Sequence, residues 1–345
     1  MEKSKRPEGN TFPFWRWEGE AMVHKIKRSS PLPAGQKADG LHFMLSGTAG
    51  DYPPVVFEHG CGVSSEVWAL VYPEIAKLTQ TLVYDRAGYG FSDPGPLPRT
   101  SDRCVEDLRG LVERLRIARP FILVGHSLGG FYARLYTERY PEDVAALVLI
   151  DASHEDEIRG AFPIPYLKRQ RLSVRLYGLA KYAARIGLLP LLARKRWIPG
   201  FGKFVAKLPQ RSREAMWARV FGADSLAAAE SEYDCFVGET GSVPGSQFVR
   251  LPLAVVKAGI YRPSDSPKRT VRQEVERTLY DTAVKMKDLS ESGRLIEAGG
   301  SGHHVQVDKP GTVIGILKRL LDQTRAGADG AQSGHSGPRN IEIQP

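Results

Sequence analysis

Four short apolar runs in the first half of the chain each end in a turn of glycine or other small residues: PPVVFEHG (53–60), TLVYDRAG (81–88), FILVGHS (121–127) and VAALVLIDAS (144–153). They lack the strict alternation of a half-exposed strand, so they predict strands buried on both faces, as in a parallel sheet. Helical patterns lie between them, around 66–78, 102–116 and 128–139. The series resumes with LPLAVVKAG (251–259), a helix over 271–287, GRLIEAGG (293–300) and a helix over 310–321. Strands alternating with helices predict a doubly wound α/β fold.

The alternation stops between 154 and 249. Within that stretch Leu172, Leu176, Leu179, Ala183 and Ile186 follow one another at helical spacing, with Arg171, Arg175, Lys181 and Arg185 off the apolar stripe. This predicts an amphipathic helix in a helical cap inserted between two strands. The expected division is an N-terminal extension with a first strand (1–40), a core (41–153 and 250–323), the cap (154–249) and a tail (324–345). The tail contains AGADGAQSGHSG, a composition that cannot bury enough apolar surface to order itself.

Charge is unevenly placed. The chain carries a formal +9, yet residues 159–219 hold fifteen Lys/Arg against one acid, Glu214, and so leave −5 on the rest. A solvated helix face accounts for such a run. A peripheral contact with an anionic membrane is the second reading, because the cations flank an apolar stripe. Nucleic acid is not expected, since no binding module is recognisable. The charged N-terminus has no signal-peptide core and no apolar run is long enough to span a bilayer, so the expected location is cytoplasmic, with or without membrane contact. Cys61, Cys104 and Cys235 are too few and scattered for a disulfide framework or a metal site, and no metal or organic cofactor is expected.

Three motifs carry chemistry. Gly125-His126-Ser127-Leu128-Gly129, followed by Gly130, matches G-x-S-x-G directly after an apolar strand and before a helical pattern. A nucleophile elbow needs that context: serine sits at the apex of a sharp turn, and glycines remove side chains that would collide there. His59-Gly60-Cys61-Gly62 ends an earlier strand. Acyl transfer needs two N–H donors aimed at the developing oxyanion; Leu128 and Cys61 are the candidates. Ser301-Gly302-His303-His304 follows the last strand, where an imidazole can reach the serine. His303 is preferred as the base, with His304 left to pack against the fold.

HGCG, YDRAGYGFSD, GHSLGG, VLIDASH and SGHHVQVDKP, in that order over about 53–321, resemble the α/β-hydrolase superfamily. The resemblance implies a mostly parallel eight-stranded sheet with a helical cap after the sixth strand. It also implies catalysis by the histidine of a G-H-x-x-x-x-x-x-P segment, here His303. The triad acid departs from the commonest pattern. Relatives usually carry it just after the strand matching LPLAVVKAG, where this chain offers only the later Asp265; a minority take it from the end of strand six, here Asp151. Asp151 is preferred and Asp265 is the alternative. The implied activity is hydrolysis of a carboxylic ester of a small apolar substrate through an acyl-enzyme. Carbon–carbon bond hydrolysis, cofactor-free peroxidation and a low-turnover ligand receptor are the alternatives on this scaffold. Dehalogenase and epoxide-hydrolase chemistry is disfavoured, because such relatives place aspartate where Ser127 stands.

Overall fold

The computed structural model describes residues 35–157, 162–195, 201–238, 248, 250–259 and 269–333, all within the unit Leu32–Pro345. Eight strands form one sheet: β1 (Gln36–Ala38), β2 (Leu41–Ser46), β3 (Val55–Glu58), β4 (Thr81–Tyr84), β5 (Phe121–His126), β6 (Val144–Ile150), β7 (Leu253–Ala258) and β8 (Arg294–Ala298). Their order is β1-β2-β4-β3-β5-β6-β7-β8, with only β1–β2 and β2–β4 antiparallel. The four runs read as doubly buried are β3 to β6, and β3, β4 and β5 are buried at every position.

Alternate side chains along each strand feed two apolar layers. Val56, Leu82, Leu123, Leu147 and Val255 pack toward α2 (Ser101–Arg114), α3 (Leu128–Arg139) and α9 (Arg269–Lys287). Val55, Phe57, Val83, Val124, Val148 and Val256 pack toward α1 (Tyr72–Ile75) and α11 (Pro310–Ser333). One layer on each face is what makes the fold doubly wound.

Between β6 and β7 lie α4 (Ile164–Arg185), α5 (Leu188–Arg194), α6 (Gly202–Val205), α7 (Gln210–Arg219) and α8 (Ala223–Gly238), the helical cap. A single turn, α10 (Val305–Asp308), precedes α11.

Three local expectations are revised. The helix expected over 66–78 is a 3-10 turn at Ser65–Trp68 followed by α1, because Pro73 sits where it can only open a helix. α11 continues past 324 to Ser333, and Arg325 lies 5.4 Å from the Tyr52 ring; residues 334–345 lie outside the described ones. In α4 the stripe of Leu172, Leu176, Leu179 and Ile186 is 54–79% exposed, while Val174, Gly178 and Ala184 face inward. Gly178 faces α8, where a Cβ would lie 2.1 Å from Glu230 Oε1.

Candidate active site

β5 ends at His126 and α3 begins at Leu128, leaving Ser127 to make the turn at φ 54°, ψ −126°. A residue with a side chain held there costs about 1–3 kcal/mol and persists only if its surroundings over-determine it. Ser127 N–H donates to Ile150 O (3.1 Å), and its carbonyl accepts from Gly130 N (2.8 Å) and Ser153 N (3.0 Å). The glycines are sterically obligatory. A Cβ at Gly125 would meet Gly129 O at 2.6 Å, one at Gly129 would meet His59 O at 2.3 Å, and one at Gly130 would meet Ala152 Cβ at 2.3 Å. Leu128 is the first residue of α3, so its N–H has no acceptor one turn back in the helix.

The His59–Gly62 turn adjoins the elbow: a Cβ at Gly60 would lie 3.1 Å from Ser127 Cβ. His59 fixes the turn as a neutral ring. Its Nδ1–H donates to Gly60 O (2.8 Å) and its Nε2 accepts from Arg86 N (3.1 Å). Burial, followed by the nearby Arg86 charge, lowers its pKa to about 3. The Arg86 guanidinium donates to the carbonyls of His59 and Gly60, the latter at 3.1 Å. Gly60 C=O and Cys61 N–H belong to one planar trans peptide and point in opposite directions. Arg86 therefore sets where the Cys61 N–H points. The Cys61 thiol is no rival nucleophile, since burial and then Glu232 push it up to about 12.

Asp151 and His303 come together. His303 Nδ1 lies 2.7 Å from Asp151 Oδ2, while Asp151 Oδ1 accepts from Ala258 N (2.9 Å). Asp151 follows β6 at φ 40°, with its own N–H donating to Val256 O (2.7 Å). Burial works to raise this carboxyl, but the His303 hydrogen bond and charge and the Ala258 N–H outweigh it, holding it below its ordinary value. His126 Nε2–H donates to His303 O (3.0 Å), tying the histidine loop to the residue beside Ser127. His304 turns away and stacks on Phe204 of α6 (4.0 Å, 9° between planes). Burial, then the neighbouring His303, lowers the His304 pKa to about 3. Asp265 lies outside the described residues.

Four residues were given no role from sequence. In sequence His126 is only the variable position of its motif, and Arg86 stands in YDRAGYGFSD with no role assigned. Glu232 and Tyr177 come from the cap. Glu232 of α8 meets Arg86 with two parallel hydrogen bonds of 2.8 Å each, and Tyr89 OH donates to Glu232 (2.9 Å). Arg86 also binds Glu58, which accepts from Tyr84 OH. Arg86, Glu58 and Glu232 are at most 1% exposed. Burial opposes the Arg86 charge, yet Glu232 and Glu58 hold its pKa well above the ordinary value. On Glu58 burial prevails and the pKa is raised. Tyr177 of α4 overhangs the turn, its hydroxyl 3.6 Å from where a Cβ on Gly62 would stand. A cavity of about 870 Å³ lies elsewhere, lined by His42, Glu66, Asp93, Arg211 and Arg219 among others and by neither Ser127 nor His303.

The family model described as "Alpha/beta hydrolase family" matches residues 55–316. Human (lyso)-N-acylphosphatidylethanolamine lipase is 25% identical over 293 residues, which cover 79% of this chain and 80% of that protein. An uncharacterized vacuolar membrane protein of Saccharomyces cerevisiae is 34% identical over 108 residues, 30% of this chain, and only 17% of that protein's length is matched. Among solved structures, the enol-lactonase from Burkholderia xenovorans LB400 superposes with a TM-score of 0.58 at 16% identity, covering 84% of this chain and all of that one. With the family match spanning most of the sheet, both flanking layers and the elbow, the chain belongs to the alpha/beta hydrolase family.

Proposed function

We propose that the chain is a serine hydrolase that cleaves a carboxylic ester with an apolar acyl group. The observation that carries this reading is the 2.7 Å contact between His303 and Asp151 on loops that border the Ser127 elbow. With Nδ1–H donated to Asp151, Nε2 is the basic nitrogen of His303. Ser127 Oγ attacks the ester carbonyl carbon while Nε2 takes its proton, and Asp151 stabilises the imidazolium. The N–H groups of Leu128 and Cys61 receive the oxyanion, each worth about 3–4 kcal/mol in the transition state. The imidazolium then protonates the departing alcohol. Water, deprotonated by His303, attacks the acyl-enzyme and releases the acid.

The apolar acyl group rests on the cap, where Tyr177 overhangs the oxyanion turn and Phe204 lies beside the histidine loop. The human relative is named as a lipase, which supports acyl-ester cleavage as the class of reaction. Turnover of p-nitrophenyl esters over a series of acyl lengths tests the proposal, wild type against Ser127→Ala. The expected loss is about four to six orders of magnitude. Equal rates in the two proteins, or no turnover at any length by the folded chain, would refute it.

A further inference from the structure

The 22-residue helix α4 carries six cations and no acid, at Lys168, Arg169, Arg171, Arg175, Lys181 and Arg185. One row of its apolar residues is turned outward: Leu172, Leu176 and Leu179, with Ile186 just past its end, are 57%, 54%, 68% and 79% exposed. Their spacing of four, three and seven residues puts them on one face. Tyr182, Leu188 and Leu191 extend the exposed apolar surface, at 57%, 47% and 50%. An isolated exposed leucine requires no explanation, but a contiguous row marks an interaction surface.

The cations select the occupant. Lys168, Arg171, Arg175 and Arg185 are exposed on the same helix as the row, and Arg185 lies 5.6 Å from the exposed Tyr182 ring. Lys181 is turned to the other side, where Glu230 of α8 binds it at 2.5 Å. Asp234, also on α8, is the further acid close to Arg175 and Lys181. Leucines with a fringe of arginines match a bilayer surface that offers acyl chains beneath anionic headgroups. No helix of the described residues is long and apolar enough to cross a membrane, so the match is to a helix lying in the interface.

We infer that the exposed face of α4 is a docking surface for anionic phospholipid bilayers. The helix lies parallel to the membrane, Leu172, Leu176, Leu179 and Ile186 enter the headgroup boundary, and Lys168, Arg171 and Arg175 meet the headgroups. The inference is independent of the proposed chemistry, because its readout is binding.

The test is co-sedimentation of the full chain with vesicles of phosphatidylcholine alone or mixed equally with phosphatidylglycerol. Two triple variants accompany it, a cation variant Lys168→Gln/Arg171→Gln/Arg175→Gln and a leucine variant Leu172→Gln/Leu176→Gln/Leu179→Gln. All six positions are exposed, and circular dichroism and thermal unfolding check that both variants fold. The wild type should bind the mixed vesicles, more weakly as salt rises, and bind pure phosphatidylcholine much less. The cation variant should lose about fivefold per cation, on the order of a hundredfold together. The leucine variant should lose about tenfold or more. Equal binding to both vesicles would overturn the inference, as would binding unchanged in both variants, which would move the contact to another part of the chain. A wild-type dimer that the leucine variant converts to monomer, without vesicle binding, would assign the face to a second copy instead.

Discussion

Ser127 and Asp151 both hold positive φ, at 54° and 40°, a conformation that aspartate tolerates better than serine does. The strain at Ser127 gives a prediction separable from catalysis. Ser127→Gly and Ser127→Ala should be equally inactive, yet the glycine variant should be more stable by about 1–2 kcal/mol in denaturant unfolding, because it relieves the backbone. Asp151→Asn keeps a side chain that tolerates positive φ but no longer offers His303 Nδ1–H a carboxylate acceptor. Turnover of p-nitrophenyl esters should fall by about three to four orders of magnitude while the unfolding midpoint moves little; retention of most activity would remove Asp151 from the role of triad acid. Ser127, Asp151 and His303 were legible in sequence because each stands in a short motif at a strand end, where chain order alone brings groups to one edge of a parallel sheet. His126 was not, because its use depends on a hydrogen bond to the His303 carbonyl, 177 positions away.

Among the elements, α8 is the part of the cap most firmly tied to the sheet, through Glu232 and Arg86. Removing one partner of a fully buried pair costs about 3–5 kcal/mol where the other charge is left uncompensated; without Glu232, Arg86 keeps only Glu58, whose carboxyl burial pushes up. Glu232→Gln should therefore destabilise strongly. Since Arg86 also orients the Gly60 carbonyl, the variant should lower kcat more than it raises KM. The double variant Arg86→Met/Glu232→Leu should recover part of the stability but not the turnover, as measured by chemical denaturation alongside steady-state kinetics. The sheet and the presence of the cap could be read from periodicity, because buried strands and an interrupted alternation are local patterns. Which face of α4 packs could not. A leucine stripe reads as a packing face, and only the exposure of Leu172, Leu176 and Leu179 beside buried Val174, Gly178 and Ala184 shows which side turns inward.

At the scale of the whole molecule, four histidines are held neutral. Burial lowers His59 and His304 to about 3 and His126 well below the ordinary value, with neighbouring positive charge adding to the effect, and lowers His154 to about 4 against the opposing pull of Glu155. Below about pH 6.5 the unfolded chain takes up protons at these positions that the folded chain refuses, so stability falls as pH falls, down toward the folded values. Each such group contributes up to about 1.4 kcal/mol per pH unit in that window. His304→Phe preserves the stack on Phe204 and should flatten the dependence of unfolding free energy on pH between 6 and 4 by about 1 kcal/mol per unit; an unchanged slope would mean that His304 protonates in the folded state. The Arg86–Glu232 pair has a different consequence. An insertion between two strands looks like an interchangeable attachment, yet this one supplies one of the two buried carboxylates that surround Arg86, the other being Glu58 of β3. Grafting a foreign cap onto this scaffold, or trimming it to a minimal core, should cost stability unless a carboxylate is carried along at the position of Glu232.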